Sequence, residues 1–259
     1  MVTTRAGRPR RPSALLNTLA VDVGGTGVKA SVLDPAGMLQ HERVRVPTPY
    51  PLAPATLVST IQTLASQLPA FDRISVGFPG MVRDGRVLTA PHFVSPTGPG
   101  GRVDAGLATE WTGIDLQSAV ASALGKPAKV ANDADIQGAA VVAGHGLEMV
   151  VTLGTGLGTA LFFHGMLCPH LEFAHHPFRN GQTYNEQLGD LARREVGGRR
   201  WNKRVARMIE TLHDLVFYDH LWIGGGNSRR VKLDLGPDVT LADNTAGILG
   251  GIKLWERSA

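Results

Sequence analysis

At 259 residues, with 43% apolar and 19% charged residues, the chain can bury a sizeable core, most naturally as two lobes, and its composition excludes a disordered protein. No apolar run is long enough to cross a bilayer, the N-terminal stretch lacks the apolar core of a secretory signal, and the single cysteine, Cys168, excludes an internal disulfide, so a cytoplasmic protein with no membrane partner is expected. The net charge of +4 is concentrated in Arg5, Arg8, Arg10 and Arg11, and in a cluster of Arg193, Arg194, Arg199, Arg200, Lys203, Arg204 and Arg207. No DNA-reading module or aromatic RNA platform accompanies that charge, which argues against nucleic acid and leaves a smaller polyanion as the alternative to a solvated surface.

Residues 1–15 read as a disordered basic arm. After them, Leu19-Ala20-Val21 and Ala30-Ser31-Val32-Leu33 predict two strands joined by the tight turn Gly24-Gly25-Thr26-Gly27. Val44 and Val46 alternate with Arg43 and Arg45 as a third strand, which the prolines at 47, 49, 51 and 54 terminate. A helix is expected over roughly 55–67, and the run from Ile74 to Phe78 reads as a buried strand ending in Pro79-Gly80. Asp115 caps a helix carrying Leu116, Ala119, Val120, Ala123 and Leu124 at helical spacing, with Gly125 as its stop. Lys129-Val130-Ala131 is the next strand, ending at Asn132-Asp133. The small residues from Asp135 to Gly144 suit a tightly packed helix, with Asp135 as its expected cap.

In the second half, Met149-Val150-Val151 and Ala160-Leu161-Phe162-Phe163 flank a second glycine turn, Gly154-Thr155-Gly156-Leu157-Gly158. Trp201, Val205, Met208, Ile209, Leu212, Leu215 and Val216 form one stripe of a long helix, opposite Lys203, Arg204, Arg207 and Glu210. Leu221-Trp222-Ile223 is a strand delivering a third turn, Gly224-Gly225-Gly226-Asn227. A closing helix is expected to start within the segment from Asn244 to Gly251.

Paired glycine loops imply a cleft between two halves, divided here as 16–133 and 134–259. Glycine serves such a loop by reaching positive φ without strain and by letting backbone N–H groups close on phosphate oxygens. Neither loop ends in the Gly-Lys-Ser/Thr of a Walker A sequence, and neither opens a helix as a dinucleotide fingerprint does.

Five motifs in order, D-V-G-G-T-G-V-K, A-N-D-A-D, T-L-G-T-G-L-G, E-x-x-H and W-I-G-G-G, resemble those of the ROK family of sugar kinases in the actin/hexokinase superfamily, and most of all its polyphosphate glucokinase branch. The resemblance runs from Leu19 to Leu254. It implies a two-lobed actin-like, ribonuclease H-like α/β fold, and transfer of a phosphoryl group from polyphosphate, ATP or both to the 6-hydroxyl of glucose or a related hexose. Kinases for other sugars and catalytically weak sugar sensors are the alternatives; sensors of this family carry an N-terminal helix-turn-helix, for which the segment before Leu15 is too short.

The resemblance assigns Asp133 as catalytic base, and a carboxylate at a strand end among small residues suits proton acceptance from an attacking hydroxyl. It places Asn132, Glu172 and His175 on the sugar, whose surface alternates donors and acceptors. Asp22 would hold Mg²⁺ through water. Gly24, Gly25, Thr26, Gly27 and Lys29 would cradle one part of the donor, Gly154, Thr155, Gly156 and Gly158 its far side, and Gly224, Gly225 and Gly226 its groove. Arg229 and Arg230, with Lys232, extend that groove with charge. A homodimer is also implied.

Three departures accompany the likeness. The cysteine-rich run of zinc-containing relatives is absent, so no zinc is expected; the alternative His/Cys set of His164, Cys168, His170 and His176 fits no common zinc spacing. Ala174 replaces a glycine, and His176-Pro177 stands where the family has an acidic residue, for which Glu186 or Asp190 could substitute. Ala90-Pro91-His92-Phe93 stands where an asparagine usually meets the sugar.

Overall fold

The computed structural model describes residues 16–242 and 246–257. The basic arm, and Asn244-Thr245 at the expected start of the closing helix, lie outside them. β1 (Thr18–Gly24) and β2 (Gly27–Leu33) form an antiparallel hairpin, and β3 (Val44–Val46) pairs antiparallel to β2. After α1 (Pro54–Ala65) comes β4 (Arg73–Phe78), parallel to β1. A small hairpin of β5 (Val82–Arg83) and β6 (Arg86–Val87), then α2 (Ala105–Trp111) and α3 (Leu116–Leu124), lead to β7 (Ala128–Asn132), parallel to β4. The first sheet thus has the order β3-β2-β1-β4-β7, and α4 (Asp133–Val141) starts directly at the end of β7.

The second half repeats this plan. β8 (Leu147–Leu153) and β9 (Leu157–Phe163) form the second glycine hairpin, and β10 (Met166–Leu167) extends it. The short hairpin β11 (Pro177–Arg179) and β12 (Gln182–Thr183) is followed by α5 (Tyr184–Leu188), α6 (Asp190–Val196) and α7 (Gly198–Val216). β13 (His220–Gly224) runs parallel to β8, β14 (Val239–Leu241) parallel to β13, and α8 (Ala246–Arg257) closes the described chain. The order β10-β9-β8-β13-β14 matches the first sheet pairing for pairing.

Strand alternation explains where the cleft can be. Leu19, Val21 and Val23 of β1 turn into the core shared with α1 and α3, with Leu57, Ile61, Leu64 and Val120. The other face presents Ala20, Asp22, Ser31, Ser75 and Gly77, side chains too small to fill the space, and a cavity of ≈ 230 Å³ remains between it, α4 and α8. In the second half, Trp201, Val205, Met208 and Leu212 of α7 are buried against β8 and β13 as the stripe predicts, while Leu215, in the last turn, overshoots the core and is exposed.

Two expectations about helices need correction. Asp135 does not cap α4: Asn132 does, its Oδ1 accepting from Ala134 N at 2.8 Å, and Asp135, one turn in, is buried. The closing helix was assigned with the second lobe, yet α8 packs along α4 and across the first sheet. Gly251 lies so close to β1 that a Cβ would sit 3.0 Å from that of Ala20, Ser75 Oγ donates to Gly251 O, and Trp255 Nε1 donates to Ser75 Oγ at 2.9 Å. Two glycines at 250 and 251 let the helix backbone reach that face, which a larger residue would hold off.

Candidate active site

The end of β7 and the first turn of α4 bring Asn132 and Asp133 to the opening of the cleft. Asp133 is half-buried, its Oδ1 2.9 Å from the N–H of Ala134. Burial, joined by the negative charge of Asp22, pushes its carboxyl up to about 7, further than the N–H contact pulls it down. Asn132 is buried: besides capping α4, its Nδ2 donates to Gly80 O at 3.0 Å. One amide hydrogen of Asn132 is left for a ligand.

The first glycine turn is held from below by residues the sequence did not single out. Thr48 Oγ1 donates to Gly24 O at 2.6 Å and Tyr50 OH to Gly25 O at 2.8 Å. Neither this turn nor the second uses glycine for positive φ, contrary to expectation: Gly24, Gly25, Gly27, Gly154, Gly156 and Gly158 all lie outside the left-handed region. Close approach is what requires all of them but Gly154. A Cβ on Gly25 would stand 2.8 Å from Pro99 Cγ, one on Gly27 2.7 Å from Arg45 Nε, and one on Gly158 2.9 Å from Ala134 Cβ. Gly158 therefore seats the second hairpin against the helix that carries Asp133. Gly154 faces open space, Gly156 lies against Asn185, whose Oδ1 accepts from Leu157 N at 2.9 Å, and Thr26 and Thr155 are exposed at the turn tips.

Gly225 alone among the predicted phosphate-site glycines has positive φ, 84°. A Cβ there would meet Leu153 O at 2.5 Å, because the third turn packs beneath the second. Asn227 secures the junction, its backbone N–H donating to Leu153 O at 2.8 Å and its Nδ2 to Gly154 O at 3.1 Å. Gly224 and Gly226 flank it. Beyond this turn a cavity of ≈ 550 Å³ is lined by Arg193, Arg199, Lys203, Arg230 and Lys232, with no carboxylate in its wall. Part of the basic cluster, Arg193, Arg199 and Lys203, thus meets Arg230 and Lys232 in one concavity, while Arg194, Arg200, Arg204, Arg207 and Arg229 are not part of the lining. Asn202 braces it by donating to Arg230 O at 3.1 Å and accepting from Lys232 N at 2.6 Å.

On the sugar side, Glu172 precedes a 3₁₀ turn, Phe173–His175, that leaves His175 exposed. Burial would raise the Glu172 carboxyl, but His170 and then His175 hold it below the usual range. His92 answers to the charges of both Glu172 and His175, although burial dominates and lowers its imidazole. His92 stands beside Gly25, its carbonyl accepting from Tyr50 OH at 3.2 Å, so the departure loop borders the same space. Neither acid proposed to replace the missing one is free: Glu186 closes a capping box with Thr183, and Asp190 pairs with Arg193 at 2.8 Å and Arg194 at 2.6 Å. In the sequence His170 stands out only as a zinc-ligand candidate. Its partners are Asp135 and Glu172, a pairing visible in sequence only as a polar residue beside the E-x-x-H motif.

Asp22 is exposed to the cleft, its Oδ2 2.9 Å from Lys29 Nζ across the hairpin. One oxygen stays available. That donor set fits Mg²⁺, which takes one or two carboxylates and fills its shell with water and phosphate oxygens. Among the described residues there is no cluster of three or more His, Cys, Asp or Glu side chains arranged to hold a metal by themselves.

Two sheets of matching topology, each offering a glycine hairpin to one cleft, define the two-lobed actin-like fold. Inorganic polyphosphate/ATP-glucomannokinase from Arthrobacter sp. strain KM superposes with a TM-score of 0.75 at 28% identity over 92% of this chain and 97% of that one. A ROK family glucokinase from Streptomyces griseus in complex with glucose and AMPPNP superposes with a TM-score of 0.69 at 20% identity, over 92% and 98% of the two chains, a likeness of fold. By sequence, 30% identity over 247 residues relates the chain to polyphosphate glucokinase of Mycobacterium tuberculosis, spanning 89% of this chain and 88% of that one. A profile of the ROK family matches residues 18–169. The chain belongs to the ROK family.

Proposed function

We propose that the protein is a sugar kinase that moves a phosphoryl group from polyphosphate or ATP to the 6-hydroxyl of glucose or a closely related hexose, with Asp133 as its base. The observation that carries this reading is the placement of a half-buried carboxyl, pushed up to about 7, at the mouth of α4 with the second glycine hairpin seated against the same helix. A base with a pKa near working pH is both ionised enough to accept a proton and basic enough to hold it. The hexose O6 attacks the terminal phosphorus of the donor, its proton passes to Asp133, and the bridging oxygen leaves with its electron pair on the shortened polyphosphate or ADP. Asn132, Glu172 and His175 orient the hexose, and the turns at 24–27 and 154–158, with Lys29, hold the donor. Mg²⁺ held by Asp22 would offset phosphate charge.

Polyphosphate is favoured as donor by the cavity beyond Gly225. Its five cations, of which Arg193 also pairs with Asp190, suit a repeating anion, and Asn227 ties the turn that precedes Arg230 to the second loop. With the lobes divided at the β7–α4 junction, at 133/134, their closure would keep water from competing as acceptor. A homodimer is what the family resemblance implies and a cytoplasmic location is what the single cysteine suits, and no described helix is long and apolar enough to cross a membrane. The deciding experiment is a matrix of glucose, mannose, fructose and N-acetylmannosamine against ATP and polyphosphate, read as sugar phosphate formed. Product with glucose or its epimer mannose and either donor supports the proposal; product only with fructose or N-acetylmannosamine, or with no sugar, overturns it.

A further inference from the structure

A buried polar connection lies behind the sugar side of the cleft. His170 Nδ1 is 2.9 Å from Asp135 Oδ1, and both side chains are almost wholly enclosed, at 2% and 3% exposure. Its other ring nitrogen, Nε2, is buried with no hydrogen-bond partner and points toward Glu172, whose Oε2 is 3.8 Å away. That distance is too long for a hydrogen bond and short enough for strong charge attraction. Asp135 sits in the first turn of α4, two residues beyond Asp133, while Thr159 Oγ1 fixes the intervening strand by donating to Leu171 O at 2.8 Å.

We propose that His170 is a positioning residue that holds the Glu172 carboxylate toward the hexose and ties it to the helix carrying Asp133. The idea rests on the reading of Glu172 as a sugar contact. An enclosed ring with one nitrogen bonded and the other facing a carboxylate is costly unless the ring is charged or the second nitrogen is paired. Here burial alone would lower the imidazole, but the Asp135 and Glu172 carboxylates reverse this and push it up to about 9. The site thus favours the charged ring, with Asp135 on one side and Glu172 on the other. Glu172, one quarter exposed, has its outer surface free for sugar hydroxyls while His170 restrains it from behind. A neutral residue at position 170 would leave Asp135 buried without its partner and Glu172 free to rotate.

The test is a double-mutant cycle on glucose KM and kcat with His170→Asn, Glu172→Gln and the pair. Asparagine can still donate to Asp135 but cannot reach Glu172. The expected result is about a tenfold rise in glucose KM for His170→Asn, with kcat changed less than about threefold, and no further rise when Glu172→Gln is already present. If Glu172→Gln raises KM while His170→Asn does not, or the two effects multiply independently, the positioning role is wrong and the reading of Glu172 stands. If Glu172→Gln leaves KM unchanged, both fall. Should His170→Asn not fold, Asp135→Asn removes the charge that anchors the ring while keeping its shape. A folded Asp135→Asn protein with wild-type glucose KM overturns the proposal.

Discussion

Asn132 Nδ2 donates to the carbonyl oxygen of Gly80 at 3.0 Å, so the turn after β4 and the start of α4 are fastened to one another by the residue beside the proposed base. The same side chain caps the helix through Ala134 N. Its position is thus held by two structural bonds, and a ligand would add a third.

Asn132→Ala should therefore be destabilising before it is anything else. Loss of an N-cap costs about 1 kcal/mol, and stranding the buried Gly80 carbonyl costs about as much again. We expect about 2 kcal/mol in urea unfolding, with an unchanged m-value. A loss below about 0.5 kcal/mol would show that the two bonds are not what holds this junction.

Asp133→Asn should lower kcat by about 10² to 10⁴ while leaving the fold intact, because the amide oxygen can still accept from Ala134 N. In the wild type, kcat/KM should fall as pH drops below about 7, since the protonated carboxyl cannot act as base. The stability consequence has the opposite sense. A carboxyl whose folded pKa lies above its unfolded value contributes stability below the unfolded pKa and loses it as pH rises through about 7. The asparagine variant should therefore unfold at higher temperature than wild type at pH 8. Equal melting temperatures at pH 8, or turnover above a tenth of wild type, contradict the assignment.

Arg230→Ala combined with Lys203→Ala removes two of the five cations around the cavity beyond Gly225. Polyphosphate KM should rise about tenfold while ATP KM changes less, and the salt dependence of polyphosphate KM should flatten by about 0.7 log unit per contact removed. Arg229→Ala, outside the lining, should have little effect on either donor. Equal losses with both donors would place the polyphosphate path elsewhere.

Glu186 and Asp190 are both engaged in local pairs, so neither compensates for the acid missing at His176-Pro177. Selectivity between glucose and mannose should be shallow in the wild type, and Pro177→Glu should lower glucose KM by about tenfold, as one charge-assisted hydrogen bond is worth about 1.5 to 3 kcal/mol and about 1.4 kcal/mol is a factor of ten. Steep selectivity in the wild type, unchanged by the substitution, would show that the pocket was already complete.

Much of this molecule is readable along the chain. Both glycine hairpins, the strands around them, the Asp115 and Gly125 ends of α3 and the stripe of α7 are local: turn chemistry and periodicities of two and 3.6 residues depend on neighbours within one element. The placement of Asp133 at a strand end is of the same kind. Other features required the folded chain. Asp135, read as a cap, is drawn inside by His170, 35 residues away, and α8 crosses to the first sheet through contacts with Ser75, some 180 positions earlier. The glycines of both loops stand out in the sequence as turn residues, but the neighbours that crowd them, such as Pro99, Arg45 and Ala134, come from elsewhere in the chain. Sequence by itself determined the two glycine hairpins, the parallel strands and the longer helices, and which residue types could perform the chemistry, because those choices rest on local sterics, whereas short elements such as α2, α5 and the β11–β12 hairpin carry too few residues to show a period. Only the tertiary structure decided how Asp22, Asp133, His170 and Glu172 sense one another, because burial and charge act through space between segments that share no local signal.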